Sequence, residues 1–392
     1  MRIFCHLVLT FLLVTFTNCQ RNRLTLNNSF DLQTVKINLE EDNQFDFTLV
    51  RILPISNRIE KFAKSPEQRD SFLFISKIGF AQILEDRVYL REERQGSLGN
   101  VYIFNNFGEL IWKSKKGKGP GEIMSANKIS VNVENGDIYI LDGGMIIHQF
   151  SKDGVLVKKT QLPFWVNEFA NISKDVDLFV SDINSKMPFK VYRLINEKSE
   201  PFPLMHRIKD GAIEMGEILN FQNFRDSILF SYYLTDTIYS IVPQGITPFL
   251  KIDFSPKGIG SLSKKEIESA KSMGSLFREN KLSFKSGWFC VVGDYLYCHA
   301  SNDQFRYICK VNYKKDESKV KKLSDVNLFG ISFPLFHFVG YSNEGLIFSI
   351  DAEQLGLAAN KGLLDSQSID PILLKKLKGL TEMDNPVLAI VK

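Results

Sequence analysis

Histidine, cysteine, serine and paired carboxylates are the side chains that most often run chemistry, and here their spacing is sparse. After the N-terminal apolar run four histidines remain, His148, His206, His299 and His337. None stands at His-x-His or His-x-x-x-His spacing, so no local zinc site is spelled out. No Gly-x-Ser-x-Gly elbow occurs. Ser-x-x-Lys appears at Ser125–Lys128 and Ser261–Lys264, a two-residue match that a chain rich in Ser and Lys produces by chance. No Asp-x-Asp-x-Asp-Gly calcium loop is present. A carboxylate pair for glycoside chemistry would have to come from distant segments. Cys290, Cys298 and Cys309 lack zinc spacing; they permit one disulfide with one thiol left over, or three buried thiols. If Gly293-Asp294 is a two-residue hairpin turn, Cys290 and Cys298 face opposite sides of the sheet and cannot bridge. The glycines of Gly117-Lys118-Gly119-Pro120-Gly121-Glu122 could cradle a phosphate, but no Gly-Lys-Ser/Thr ending follows and no helix supplies its dipole. A tight turn between strands explains them. The expectation is therefore no catalytic residue, no metal and no cofactor.

The elements that must position these residues are more legible. An apolar phrase recurs as Val88-Tyr89-Leu90, Ile138-Tyr139-Ile140, Leu178-Phe179-Val180, Ile228-Leu229-Phe230, Leu296-Tyr297-Cys298 and Leu346-Ile347-Phe348. The steps between first residues are 50, 40, 50, 68 and 50. Each phrase is followed by a polar turn and a second apolar strand, and often by a turn such as Asn106-Phe107-Gly108 or Lys152-Asp153-Gly154 and a third strand. Another strand precedes each phrase, as Lys128–Val131 does. Turns rich in Asn, Asp and Gly reverse antiparallel strands. Four strands per unit at this period predict an all-β chain: a six-bladed β-propeller of four-stranded antiparallel blades with short helical insertions. The step of 68 marks an insertion at about 255–280, where Ser263 and Glu266 have capping-box spacing. A second excursion at about 351–385 holds a helix start at Asp370-Pro371. Strands in Val35–Leu53 are expected to share the last blade with Pro386–Val391 and so complete the circle.

The chain has 392 residues, 44% of them hydrophobic, with a net charge of +4. That charge is small and dispersed, so nucleic acid is not an expected partner. The run Ile3–Phe16 is 14 residues long, too short to span a bilayer and suited to a signal peptide. Residues 1–18 are read as that signal and 19–32 as a tether. Cys19 then resembles the lipidated cysteine of a bacterial lipobox, although Phe16 and Asn18 depart from the usual residues. Residues 33–392 are the propeller. The residues after Cys19 carry no acidic cluster, which points to the periplasmic side of the outer membrane.

One stretch is more specific. Gly117–Glu122 is followed by Gly136-Asp137-Ile138-Tyr139-Ile140-Leu141-Asp142 and Phe150-Ser151-Lys152-Asp153-Gly154. With Leu234–Tyr239, Ile252-Asp253-Phe254 and Asp384–Leu388, it resembles the six-bladed β-propeller lipoproteins of Bacteroidota, which are similar to NHL-repeat propellers. The resemblance implies the fold and an envelope location, and no agreed activity. In an NHL-like blade the loop after the recurring phrase faces one mouth of the central channel. Arg91, Asp142, Asp182, His299 and Asp351 hold that position in five units, and they are the candidate ligand-binding residues. The expected role is an envelope-anchored, monomeric binding or scaffold protein holding a glycan, peptide or protein ligand at one face of the ring. The alternatives are a propeller hydrolase or lyase acting on an envelope or dietary polymer, and a structural subunit of an outer-membrane complex.

Overall fold

The computed structural model describes residues 32–392 except 41–44, 58–72, 95–96, 174–175, 182–188, 196–201, 207–208, 211–212, 215–217, 226, 233–235, 243–244, 256, 259–260, 264, 267–275, 277–278 and 365–368. The signal, Cys19, Asp182 and the apolar positions of the 255–280 insertion from Ile267 to Gly274, with Phe277, lie outside the described residues.

The chain is mostly β. Strands β1 (Thr34–Asn38) and β2 (Leu49–Pro54) precede a series of consecutive antiparallel groups. The first is β3 (Ile78–Leu84), β4 (Arg87–Arg94), β5 (Ser97–Asn105) and β6 (Leu110–Lys113). The second is β7 (Ala126–Val131), β8 (Ile138–Asp142), β9 (Ile146–Phe150) and β10 (Leu156–Gln161). The third is β11 (Val166–Ser173), β12 (Val176–Ser181), β13 (Phe189–Ile195) and β14 (Phe202–His206). The fourth is β15 (Ile218–Phe224), β16 (Ser227–Tyr232), β17 (Thr237–Val242) and β18 (Gly245–Ser255). The fifth is β19 (Phe284–Val292), β20 (Tyr295–Ser301), β21 (Arg306–Asn312) and β22 (Glu317–Lys322). The last contains β23 (Phe336–Tyr341) and β24 (Leu346–Ile350), then helices α1 (Ala352–Asn360) and α2 (Pro371–Lys378), then β25 (Val387–Val391). β2 completes this last group by pairing antiparallel with β25.

Each recurring phrase lies on the second strand of its group, and its continuous apolar character has a physical cause. β8 is buried at all five positions, whereas β10 alternates half-buried and exposed. A strand covered on both faces needs apolar residues throughout, while an outer strand needs them only inward. The two faces of β8 enter different clusters. Ile138 and Ile140 pack with Val101 and Ile103 of the first group. Tyr139 and Leu141 pack with Phe169 and Tyr192 of the third. Further clusters join the third group to the fourth, the fourth to the fifth and the fifth to the last. Another joins Ile347 and Ile390 of the last group to Val88 and Leu90 of the first. There Gly340 and Tyr341 of β23 pair parallel with Ala81 and Gln82 of β3. A Cβ on Gly340 would collide with the Ala81 carbonyl, so this approach requires glycine.

The chain ends depart from the sequence reading in one respect. β2 joins the closing group as anticipated, but β1 pairs parallel with β18 as a fifth strand of the fourth group. Val35, Ile37 and Leu39 are buried there beside Ile252, Phe254 and Tyr313. The helical signals resolve as local chemistry dictates. Ser263 N–H donates to Glu266 Oε2 at 2.7 Å and Glu266 N–H to Ser263 Oγ at 3.3 Å, a reciprocal cap. Asp370 accepts from the Ile372 and Leu373 amides at the start of α2. All three cysteines are free thiols. Val292 pairs with Tyr295 across Gly293-Asp294, and Cys290 and Cys298 lie in different apolar clusters, on opposite faces of their sheet. Among the described residues no helix is long and apolar enough to cross a membrane.

Candidate functional site

The first strands of the groups converge on one cavity of about 250 Å³. Every group contributes: Phe80 and Gln82 from β3, Lys128 and Ser130 from β7, Glu168 and Phe169 from β11, Phe221 and Asn223 from β15, Trp288 from β19, and Phe338 to Tyr341 from β23. Arg91 reaches in from β4.

Towards the ends of these strands the wall is tied together. Asn223 Nδ2 donates to the Val131 carbonyl at 3.0 Å, and its backbone N–H donates to Tyr341 Oη at 3.1 Å. These bonds link the second, fourth and last groups. On another part of the wall Trp288 stacks on Phe338, with ring centroids 3.9 Å apart and planes 19° apart. The pair gives the cavity a flat apolar surface.

Near the strand starts the wall is charged. Lys128 is paired there with Glu168, and beside the wall Lys77 pairs with Glu93 at 3.0 Å. The Arg91 guanidinium lies over Gly79, where a Cβ would come within 3.0 Å of Nη2. Among the described residues no hydrogen bond or ion pair reaches it, and its Nε is buried without a partner. Burial pulls its pKa down, against the through-space pull of Glu93 and Glu168. A guanidinium still holds its charge at neutral pH. His337 sits nearby with Nε2 2.9 Å from the Ile78 carbonyl, and burial lowers its pKa.

The other residues proposed from the sequence have different surroundings. Asp142 is buried, and its oxygens accept from the Met124 and Ser125 amides at 3.1 and 2.7 Å. His148 Nε2 lies 3.3 Å from the same carboxylate. Burial pushes the Asp142 pKa up, but His148 and the two amides outweigh it and hold the carboxyl below its usual range. His299 is half-buried, with Nδ1 3.4 Å from Ser286 Oγ, which accepts from Ser301 Oγ at 2.5 Å. Burial, with Arg306 adding to it, pushes His299 down to about 4, so the ring is neutral at pH 7. Asp351 caps α1, accepting from the Gln354 amide at 3.2 Å. The structure thus puts Arg91 in the cavity wall and gives Asp142, His299 and Asp351 partners elsewhere.

Sequence reasoning passed over Lys128, Glu168, Trp288 and Phe338. A signal was available: Phe80, Phe169, Phe221, Trp288 and Phe338 place an aromatic on the strand preceding the phrase in five groups. Among the described residues no three His, Cys, Asp or Glu side chains are grouped to hold a metal.

A family model described as a domain of unknown function (DUF4934) matches residues 67–392. No curated protein matches the sequence at a significant level. A crystal structure from Bacteroides fragilis, provisionally described as an exported protein, is similar with a TM-score of 0.67 and 15% identity, over 92% of this chain and 99% of that one. The β-propeller domain of Myceliophteria thermophila Cps50 (Swd1) matches with a TM-score of 0.39 and 11% identity, over 70% of this chain and 80% of that one. Virginiamycin B lyase from Staphylococcus aureus matches with a TM-score of 0.38 and 11% identity, over 78% and 81% respectively. The neighbours are propeller-like, and an enzyme is among them.

Proposed function

We propose a ligand-binding role for this chain, which belongs to the family described as a domain of unknown function (DUF4934). In this reading it is a six-bladed, NHL-like β-propeller lipoprotein of the cell envelope, directed there by residues 1–18, lipidated on Cys19, and holding a glycan, peptide or protein ligand at the mouth of its central cavity. The successive four-stranded groups support six blades. So does the run of apolar clusters from each group to the next, with one joining the last group to the first. Pairing of β2 with β25 supports closure by the two chain ends. The apolar run Ile3–Phe16 supports export.

The observation that carries the binding reading is the cavity itself. First strands from every group meet there, with Arg91 reaching in from β4, and together they bring a half-buried aromatic stack, an ion pair and a guanidinium with no bonded partner among the described residues to one place. Convergent polar groups in an apolar concavity are the usual make-up of a ligand site. Arg91 is its proposed anchor, while Asp142, His299 and Asp351 have partners elsewhere and Asp182 lies outside the described residues. A thermal-shift screen against envelope oligosaccharides and peptides tests this. Hits are expected to vanish in Trp288→Ala; hits that all survive it would place binding elsewhere. Labelling with a fatty-acid analogue is expected to mark the protein and not its Cys19→Ser variant.

A second reading, a subunit of an envelope complex, has one observation in its favour. The 351–385 excursion exposes Ile372 at 80% and Met383 at 71%, with Leu357 and Leu363 also exposed. Crosslinking in whole cells separates the two readings: Ile372→Asp with Met383→Asp would abolish a crosslinked partner only under the second.

A further inference from the structure

We infer that the cavity's ligand is a small carboxylate carried on a flat apolar body, with Arg91 gripping the acid and the Trp288–Phe338 stack receiving the body. This rests on the central-cavity reading and narrows it to a chemical class.

Charge balance is the starting point. Glu168 is occupied by Lys128, and Glu93 by Lys77. Arg91 is the cation left over. Glu93 and Glu168 act on it through space, yet neither bonds to it among the described residues. Arg91 is half-buried with its Nε enclosed, and an enclosed donor of a cation without a bonded partner is costly unless something else satisfies it. Gly79 leaves the space in which the guanidinium lies: a Cβ there would come within 3.0 Å of Nη2.

The guanidinium fork matches a carboxylate by two parallel N–H···O bonds, a fit that a lysine does not offer. The stacked Trp288 and Phe338 supply an apolar plane in the same cavity. Size sets the scale. About 250 Å³ falls just under the roughly 300–1,000 Å³ of pockets that take drug-sized ligands, so one ring and its acid group fill it.

Phenylacetate and its neutral isostere phenylacetamide test this by ligand-observed NMR titration of the intact protein. Phenylacetate is expected to bind about tenfold or more tightly than the amide, as charge-assisted bonding implies. Arg91→Met is expected to erase that difference, and Arg91→Lys to restore only part of it. The wild-type comparison needs no variant to fold. Equal binding of acid and amide would overturn the inference and leave the cavity reading standing. So would failure of both probes while the ligand screen still returns Trp288-dependent hits. If neither probe binds and no hit depends on Trp288, both readings fall. Displacement of phenylacetate by inorganic phosphate at equal concentration would overturn the assignment of a carboxylate on an apolar body.

Discussion

Arg91 and Asp142 lie near the ends of the apolar stretches of two second strands, one group apart, Arg91 directly after its phrase and Asp142 one residue later. Their surroundings are opposite. Asp142 has two amides and His148 around its carboxylate. Arg91 has no bonded partner among the described residues. One residue along a strand reverses the face a side chain takes, and the neighbouring strands then choose its task. At Asp142 the residues just before β7 fold back onto the carboxylate, so the charge holds the connection between groups. Arg91 pairs across the ladder with Phe80, its guanidinium lies over Gly79, and the charge stays open to the cavity.

That contrast can be broken by substitution. The largest effect is expected at the shared scaffold: Ile140→Ala removes a fully buried side chain and should cost about 2–5 kcal/mol in urea denaturation. A loss below about 1 kcal/mol would mean that β8 is not packed on both faces. Asp142→Ala comes next, at about 3 kcal/mol, because two amides lose their acceptor inside the fold and His148 loses its neighbouring carboxylate.

Acid sharpens the same point. The Asp142 pKa is lower folded than unfolded, so its stabilisation is present above the unfolded value near about 3.9 and is lost as pH falls through the lower folded value. In Asp142→Asn that component of acid unfolding should disappear. His299 contributes in a different window. Its folded pKa of about 4 lies below an unfolded value near about 6.5, so the unfolded chain binds more protons between them and stability falls as pH drops through that range. An NMR titration of its ring should show a midpoint near 4; a midpoint above 6 would contradict its burial. A smaller effect is expected at the excursion, where Asp370→Ala should cost about 1 kcal/mol through the lost cap of α2.

The legible parts of the fold were those written locally. Strands buried on both faces demand continuous apolar residues, so the phrase was visible in five groups whose side chains are described and in the third by its strand. Ser263 with Glu266, and Asp370 with Pro371, are caps whose partners lie within a few residues. Asp351 was visible as a polar residue after the phrase, but a cap and a mouth residue look alike until α1 is seen. The parallel pairing of β1 with β18 joins segments more than two hundred residues apart, and no turn chemistry announces such a contact. The cavity was illegible for the same reason: each first strand contributes only a few residues, and their meaning depends on the others.

Urea denaturation of Arg91→Met is the most direct test of the claim that this guanidinium is held open for a ligand. Met keeps the apolar stem and removes the charge. If the charge stabilises nothing in the free protein, the variant should match or exceed the wild type in stability while losing its preference for phenylacetate over phenylacetamide. A loss of about 3 kcal/mol, comparable to that expected for Asp142→Ala, would show that Arg91 is bound into the fold as Asp142 is and would contradict the account.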